Sequence, residues 1–282
     1  VGVTMGYTQT GSKTLSSSDL KANAETLGTA FTPDGYIGKN GGYPILAVSV
    51  YKSHNMQSLI PNEAGEYLIT TPGELRRLSY MVNVEKKTFS GETVRLCNDI
   101  DLQWVEWIPI GGNTNADSAS PCRFSGTFEG DGHKIYNLSV TEGNYYVGFF
   151  GDLNGATIRN FGIESGVVIG QAKIGGLAGV IRGNVSIENC YNKANVDGKN
   201  LAGGIAGMSS GRNITTRTCY NTARVTSLNK AAGILCHISS GASDILLEKC
   251  YNSGTESYGI LASCSETASA TVTNCYTIDA VE

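Results

Sequence analysis

The chain has 282 residues, enough for one large domain or two ordinary ones with self-sufficient cores. Its formal charge is -4 and it has no run of Lys or Arg, which argues against a nucleic-acid partner. Only 16% of the residues are charged while 36 are Gly, so long helices with charged outer faces are excluded as the main architecture. Many short strands and turns remain, and no apolar stretch reaches the roughly 20 residues that cross a bilayer.

The N-terminal third begins outside any repeat. Residues 1–52 are predicted to form a helix followed by an extended segment, and the helix rests on four apolar residues at helical spacing: Leu20, Ala24, Leu27 and Phe31. Residues 53–70 are predicted to be a linker and a first strand. Thr71 as N-cap, Pro at the first helical position and Glu74 three residues after the cap predict a helix over 72–83. We expect this amphipathic helix to cover the exposed end of a strand stack.

Two short sequence motifs recur at matching spacing through the second half of the chain. The dipeptide Cys-Tyr appears four times, at separations of 29, 31 and 25 residues, beginning at Cys190, Cys219, Cys250 and Cys275. A Gly-flanked apolar tetrapeptide precedes each copy, and a fifth, earlier one is followed by Phe161 in place of cysteine. These tetrapeptides begin at Gly148, Gly176, Gly204, Gly233 and Gly259. Internal periodicity of this kind indicates a repeat architecture.

One period of 25 to 31 residues favours three short strands and three turns, since no copy has a helical pattern of about 10 residues. We therefore predict an all-β fold: a right-handed, single-stranded parallel β-helix (solenoid) over residues 71–282, with about five regular coils from residue 146. Strand-like segments between residues 94 and 140 predict one or two further coils with insertions. Charges are expected to be scarce because each would face its own copy about 4.8 Å away.

Alternation within the repeats predicts which side chains face inward. The cysteines are predicted to form a stacked inner column, beside a ladder of amides that bond along the stack at Asn192, Asn221 and Asn252. The residues after the cysteines are predicted to form an outer column of Tyr191, Tyr220, Tyr251 and Tyr276. An asparagine at the strand corner suits the left-handed conformation of a tight bend, as at Asn160, Asn189 and Asn274.

The Gly-Leu-x-Gly copies with Cys-Tyr-Asn between them resemble the GLUG repeats of bacterial cell-surface proteins, including the region ahead of the protease domain in IgA-specific metalloendopeptidases. Earlier segments are also similar, such as Leu96-Cys-Asn-Asp-Ile-Asp-Leu102 and Trp107-Ile-Pro-Ile-Gly111. The resemblance covers residues 71–282 and implies a secreted or surface-anchored repeat protein, with adhesion or display as its role. The zinc signature His-Glu-x-x-His of the protease is absent, so peptidase activity is not carried over.

In such proteins the repeat array closes with a helix, a Leu-Gly-x-x-Phe segment and Asn-Gly-Tyr-Pro-Ile-Leu. Here 27–31 and 41–46 resemble that closure but precede the repeats. Residues 1–52 are therefore expected to be the closing tail of a preceding module, and further modules of the same polypeptide are expected as neighbours. We expect the chain to begin in one tail and to stop before its own.

Two patterns raise the question of catalysis. Gly207-Met-Ser209-Ser-Gly211 matches the Gly-x-Ser-x-Gly nucleophile motif, but that motif requires the strand-to-helix elbow of an α/β sheet. Carboxylates on neighbouring coils could instead converge on a polysaccharide or on Ca²⁺, and the candidates are Asp99, Asp101, Glu129, Asp131 and Asp152. The alternative is that Asp99 and Asp131 sit at turns and cap their own backbones.

We expect no cofactor and no zinc site, because the eight cysteines form no Cys-x-x-Cys pair and only three histidines accompany them. The cysteine column is expected to hold mostly free thiols, since parallel neighbours at one register have poor disulfide geometry. The tyrosine column is the better candidate for binding a glycan or a host or cell-surface protein, although ring stacking alone would also stabilise adjacent coils. The sequence thus predicts a non-catalytic secreted or cell-surface module, adhesin-like or a stalk. The alternative is a β-helical glycoside hydrolase or lyase with a carboxylate-lined groove.

Overall fold

Successive coils stack through parallel strands in the computed structural model, which describes residues 31–32, 45–46, 56–112, 122–143, 145–257 and 259–278. The largest sheet has eight strands, so the chain completes about seven turns of a parallel β-solenoid. The predicted all-β parallel β-helix is confirmed. The right-handed sense of the coil stays a prediction.

A helix, α1, runs from Pro72 to Asn83 ahead of the second solenoid strand. Thr71 caps it: the Thr71 Oγ1 accepts a hydrogen bond from the Glu74 N–H at 3.3 Å, and the Glu74 carboxylate accepts one from the Thr71 N–H at 3.0 Å. This is a reciprocal capping box. The apolar face of α1 is buried in the solenoid core through Leu75, Leu78 and Val82. Among the described residues, no helix is long and apolar enough to cross a membrane.

Residues 1–52 fall mostly outside the described residues, and so does the helix predicted there. Within them, Phe31–Thr32 (β1) pairs antiparallel with Ile45–Leu46 (β2). The two strands belong to the segments that resemble a closing tail, and the role of that tail stays a prediction.

The first three regular coils have five short strands each, whereas the repeat length predicts three. The prediction was wrong for these coils because the segments expected to be straight bend between strands. The last two coils have three strands each among the described residues. One such bend is held by Asn192, whose Oδ1 accepts from the Ala194 N–H at 3.1 Å and whose Nδ2 donates to the Ala194 carbonyl at 2.8 Å. On the next coil, Asn221 Nδ2 donates to the Ala223 carbonyl at 2.9 Å. The solenoid therefore has five faces, numbered here in the order in which a coil runs.

Face 1 follows the tetrapeptide glycines. Its five strands are Phe150–Leu153, Ala178–Ile181, Ala206–Ser209, Leu235–Ile238 and Leu261–Cys264. Face 2 is the longest sheet. Its eight strands are Glu66–Ile69, Thr93–Leu96, Thr127–Glu129, Thr157–Arg159, Ser186–Glu188, Arg212–Arg217, Ser243–Glu248 and Ala270–Thr273.

Face 3 carries the Tyr-Asn pairs. Its seven strands are Ile100–Asp101, Lys134–Tyr136, Gly162–Ile163, Tyr191–Asn192, Tyr220–Asn221, Tyr251–Asn252 and Tyr276–Thr277. Faces 4 and 5 have four strands each. The strands of face 4 are Leu138–Gly143, Gly166–Gly170, Asn195–Gly198 and Val225–Ser227, and those of face 5 are Tyr146–Val147, Lys173–Gly175, Leu201–Gly203 and Lys230–Ala232.

Aromatic rings fill the N-terminal coils of the core. Phe128 lies edge to face with Phe149, Phe150 and Phe161, at centroid distances of 5.8, 5.3 and 5.2 Å. Phe161 stands immediately before Gly162, which pairs with Tyr191, so Phe161 occupies the position that cysteine holds in later coils. The core thus changes from large rings to small thiols along the stack.

The corner between faces 2 and 3 has a left-handed backbone on each regular coil. The angle φ is 57° at Asn160, 52° at Asn189 and 53° at Asn274, as the sequence predicts. Thr218 and Lys249 hold the same corner at 52° and 53°. A β-branched residue is strained in this conformation, whereas asparagine tolerates it.

We expect Thr218→Asn to raise the free energy of unfolding by about 1 kcal/mol. The new amide would relieve the strain and could extend the contact in which Asn189 Nδ2 donates to Asn160 Oδ1 at 3.1 Å. Urea unfolding beside the wild type measures the change. Thr222→Asn, at an exposed position without positive φ, should leave stability unchanged. A less stable Thr218→Asn protein would contradict the account of this corner.

Candidate functional site

The two repeated landmarks meet in the core. Strand pairing places the tetrapeptide glycines in one column of Gly148, Gly176, Gly204, Gly233 and Gly259. A methyl group on Gly204 would overlap with Asn221 Cγ and with the Gly233 carbonyl oxygen. Gly176 and Gly233 face an asparagine in the same way. The glycines and asparagines repeat at matching spacing because each glycine, which has no side chain, lets an asparagine amide approach its backbone.

The buried asparagines form a hydrogen-bonded ladder over three coils. Asn192 Nδ2 donates to Asn221 Oδ1 at 3.0 Å, and Asn221 Nδ2 donates to Asn252 Oδ1 at 3.0 Å. All three side chains are buried. These bonds, with those to the main chain two residues later, satisfy amides that burial removes from water. The polar atoms of the ladder therefore form their hydrogen bonds within the fold.

The four tyrosines lie in register on face 3, at Tyr191, Tyr220, Tyr251 and Tyr276. The rings of Tyr191 and Tyr220 are stacked, with centroids 4.8 Å apart and planes 8° apart. Stacking covers the ring faces, so this part of the column does not offer the flat apolar platform expected from the sequence. Tyr276, in the last described coil, is 67% exposed.

Charged neighbours hold Tyr191 in place. Its Oη donates to Glu164 Oε2 at 2.6 Å, and Lys193 Nζ lies 2.7 Å from Glu164 Oε1. Hydrogen bonds from Lys193 and Tyr191 hold the pKa of Glu164 below its usual range. Burial and the Glu164 carboxylate raise the pKa of Tyr191. The phenol therefore stays protonated and acts as a hydrogen-bond donor.

The cysteine column lies inside face 3. Cys190, Cys219 and Cys250 are buried, and Cys275 is partly buried. The thiols donate to main-chain carbonyls: Cys219 Sγ, for example, lies 3.2 Å from the Arg217 oxygen. The described residues include all eight cysteines and contain no disulfide. Burial raises the pKa of Cys219, and a hydrogen bond with Cys219, followed by burial, raises that of Cys250.

Timed alkylation should separate these thiols. We expect iodoacetamide to modify the exposed Cys264 in the folded protein, and Cys219 and Cys250 only after unfolding. The thiolate is the reactive form, and burial disfavours it. Peptide mass spectrometry after alkylation measures the order. Equal rates at all three sites, or a bridge between column cysteines that reductant removes, would contradict the expectation.

Three of the five carboxylates proposed as a cluster are exposed, two of them at turns and one at the end of a strand. Asp99 Oδ1 lies 3.2 Å from His133 Nδ1, and Asp101 Oδ1 accepts from the Gln103 N–H at 2.7 Å. Asp131 has a φ of 51° and is exposed. Asp101 therefore caps its own turn, a role that the sequence predicts for Asp99 and Asp131 instead.

The other two carboxylates are buried in ion pairs on different faces. Glu129, on face 2, lies 2.5 Å from Arg159 Nε. Asp152, on face 1, lies 2.8 Å from Arg182 Nε and 3.3 Å from Arg123 Nε. Within the described ranges, no group of three or more His, Cys, Asp or Glu is arranged to hold a metal ion. The structure gives these carboxylates separate partners and does not assemble them into one site.

Ser209 points into the core. Its side chain is buried, and its Oγ has no hydrogen-bond partner in the described part of the chain. It is paired in register with Ile181 and Ile238 on face 1, and the next element is the strand Arg212–Arg217 rather than a helix. The match to the nucleophile motif therefore lacks both the exposed hydroxyl and the elbow that the chemistry requires.

Face 2 carries a column of alternating charge that the repeated landmarks did not predict. Strand register places six residues in succession: Arg95, Glu129, Arg159, Glu188, Arg217 and Glu248. Arg217 Nε lies 2.6 Å from Glu248 Oε2. The expectation that a charge would face its own copy was wrong here, because alternation of sign replaces repulsion with attraction. The sequence does contain this charge pattern: the residues two positions before Phe161, Cys190, Cys219 and Cys250 alternate between Arg and Glu.

The chain is similar to parts of two known proteins. No protein-family model matches it. It is 29% identical over 182 residues to halomucin from Haloquadratum walsbyi, a match that covers 60% of this chain but only 2% of halomucin. The chain thus spans a very small part of that relative. A crystal structure of a "putative immunoglobulin A1 protease" from Bacteroides ovatus matches with 20% identity and a TM-score of 0.49, covering 80% of this chain and 79% of that one.

Proposed function

We propose that the chain is a non-catalytic repeat module of a secreted or cell-surface protein, an adhesin-like or stalk element that presents face 3 to a glycan or a protein partner. One observation carries the proposal: the buried amides and the buried carboxylates are bonded to neighbouring side chains. The buried amides bond along their ladder, and Arg side chains hold Glu129 and Asp152. Such a solenoid offers stiffness and a repeated surface, without a convergent acid and base in its described part.

The similarity to halomucin supports this proposal. The matched segment makes up 2% of that relative, so a sequence similar to this chain stands there within a very long polypeptide. The relative's name denotes a mucin, which supports a place outside the cell.

A glycan array and a reducing-sugar release assay on the same purified protein test the proposal. We expect binding without release. Release that Asp131→Ala abolishes would instead make the chain a polysaccharide-processing enzyme. Asp244→Ala is the matched control, because Asp244 is also exposed and has a φ of 57°. If both variants still release reducing sugar, the proposal is equally wrong, and the catalytic group lies elsewhere.

A further inference from the structure

A strained turn follows the first strand of face 3. It joins Leu102 to Val105, and the Val105 N–H donates to the Leu102 carbonyl at 3.0 Å. Both central residues have a left-handed backbone, with φ of 57° at Gln103 and 59° at Trp104. Asn, Asp and Gly are the residues that normally occupy two such positions. Gln and Trp lack the short side chain that makes this conformation tolerable, so the turn is strained at two consecutive residues.

The next coil builds a turn of this kind from the usual residues. There the His133 N–H donates to the Gly130 carbonyl at 2.9 Å, and the central residues Asp131 and Gly132 have φ of 51° and 82°. The geometry of such a turn therefore does not require a tryptophan.

Neighbouring groups hold the strained turn in place. Asp101 Oδ1 accepts from the Gln103 N–H at 2.7 Å and from Asn137 Nδ2 at 2.8 Å. The Trp104 N–H donates to the Asn137 carbonyl at 3.1 Å. These bonds fasten the turn to the next coil. Backbone strain persists only where such contacts fix the conformation, and it concentrates at ligand-binding sites.

The Trp104 ring is open to solvent. It is 55% exposed, whereas Trp107 is 2% exposed and stacks on Phe149. In the described part of the chain, no aromatic ring or cation packs against Trp104. An indole packed on both faces would expose little beyond its edge, so at least one face of Trp104 is free. This turn thus presents a flat apolar surface in a fixed position.

The polar group next to this turn is a carboxylate with an unused oxygen. Asp101 is exposed, and its Oδ2 accepts no hydrogen bond from the described residues. An ionised carboxylate only accepts hydrogen bonds, so a ligand has to supply the donors. The same charge disfavours an anionic ligand.

A neutral sugar ring meets both requirements. It has an apolar C–H face for the indole and hydroxyls that donate to a carboxylate. A quaternary ammonium ion is recognised by a cage of several rings, and within the described ranges no second ring lies against Trp104. An apolar peptide side chain would cover the indole but leave the Asp101 carboxylate without a donor.

We propose that the Trp104 turn binds one neutral pyranose unit of a glycan. The C–H face of the sugar packs on the free face of the indole, and a sugar hydroxyl donates to Asp101 Oδ2. Because the turn is held in one conformation, little entropy is lost when the sugar packs against it. The inference rests on the proposed function and deepens it, since it names the ligand class and a position beside face 3.

Tryptophan fluorescence tests binding in the unmodified protein, because the chain has two tryptophans and Trp107 is buried. The probes are the methyl glycosides of glucose, galactose, N-acetylglucosamine and glucuronic acid, together with choline. We expect at least one neutral glycoside to shift the emission saturably to shorter wavelength as it covers Trp104, and the glucuronide and choline to bind more weakly. The proposal is overturned if no neutral glycoside gives a saturable shift, or if the glucuronide or choline binds more tightly than every neutral glycoside.

Trp104→Asn separates a binding role from a structural one. Asparagine tolerates the left-handed backbone, so the urea midpoint should rise. Affinity for the neutral glycoside, followed by saturation-transfer difference NMR, should fall roughly tenfold. Gln103→Asn is the matched control, because it relieves strain at the neighbouring residue but keeps the indole, and it should retain wild-type affinity. A lower urea midpoint for Trp104→Asn, or an unchanged affinity, would overturn the proposal.

Two further variants test the position of the sugar. Asp101→Asn removes the charge, so it should reduce the preference for the neutral glycoside over the glucuronide several-fold, and an unchanged preference would contradict the proposed contact. Tyr276→Ala removes a 67% exposed ring from the other end of face 3 and should retain wild-type affinity. An equal loss in Tyr276→Ala and Trp104→Asn would overturn the proposal. Glycan-array binding that survives Trp104→Asn would move the site away from this turn while leaving the proposed function intact.

Discussion

Gly204→Ala should lower the free energy of unfolding by about 3 kcal/mol or more. The added methyl group would overlap with the Asn221 side chain and with the Gly233 carbonyl oxygen. One neighbour is backbone and the other is a buried amide fixed by hydrogen bonds, so neither can move away without breaking contacts between coils. Overpacking of well-ordered cores typically costs about 1 to 3 kcal/mol, and collision with backbone lies at or beyond the upper end.

Gly183→Ala is the control for this substitution. Gly183 lies in the turn before face 2, and a methyl group there would approach no closer than 3.4 Å, to the Arg212 oxygen. We expect a change within about 0.5 kcal/mol. Urea unfolding of both variants beside the wild type gives the comparison. Equal stability of the two variants would mean that the glycine column does not pack against the asparagine ladder.

Asn221→Ala should cost about 3 to 5 kcal/mol, because it removes the middle member of the buried ladder. Asn192 Nδ2 would lose one of its two acceptors, and Asn252 Oδ1 one of its two donors, at a site that excludes water. The Ala223 carbonyl would also lose a bond. Each buried group left unsatisfied costs about 1 to 3 kcal/mol.

Asn229→Ala provides the matched comparison at the surface. Asn229 Nδ2 donates to Asn200 Oδ1 at 2.8 Å, an inter-coil amide bond of the same kind, but both residues are exposed. Water replaces the lost partner there, so the cost should stay below about 1 kcal/mol. If the two substitutions cost the same, burial is not what makes the ladder important.

The stacking register was readable from the sequence because two independent landmarks repeat together. Gly176 and Gly204 stack as their spacing predicts, and so do Tyr191 and Tyr220. The asparagine corners at Asn189 and elsewhere also follow from the known tolerance of that residue for positive φ. These features depend on position within a repeat, which a single sequence records directly.

The number of faces was not readable, because it depends on bends made by side chains. Asn192 was expected to bond only along the stack, but it also turns the chain by bonding to Ala194. Without that second role, the segment from Cys190 to Val196 reads as one strand.

The candidate site was predicted only in part. The sequence placed Tyr191 and Tyr220 in one outer column, but it could not show that their rings lie 4.8 Å apart and cover each other. It also gave no reason to single out Gly162, whose missing side chain leaves room for the Tyr191 ring to pack over its backbone. The proposed carboxylate cluster depended on distances in space, which the repeat spacing does not fix.

Hydrogen exchange of side-chain amides tests the central claim most directly. That claim is that a buried ladder of asparagine amides joins the coils and that the amides bond to one another within the core. NMR can follow the Nδ2 protons of Asn192 and Asn221 beside those of the exposed Asn229. We predict that the two ladder amides exchange only on global unfolding, while Asn229 exchanges rapidly. Exchange of Asn192 and Asn221 at the rate of Asn229 would contradict the ladder and the solenoid core built around it.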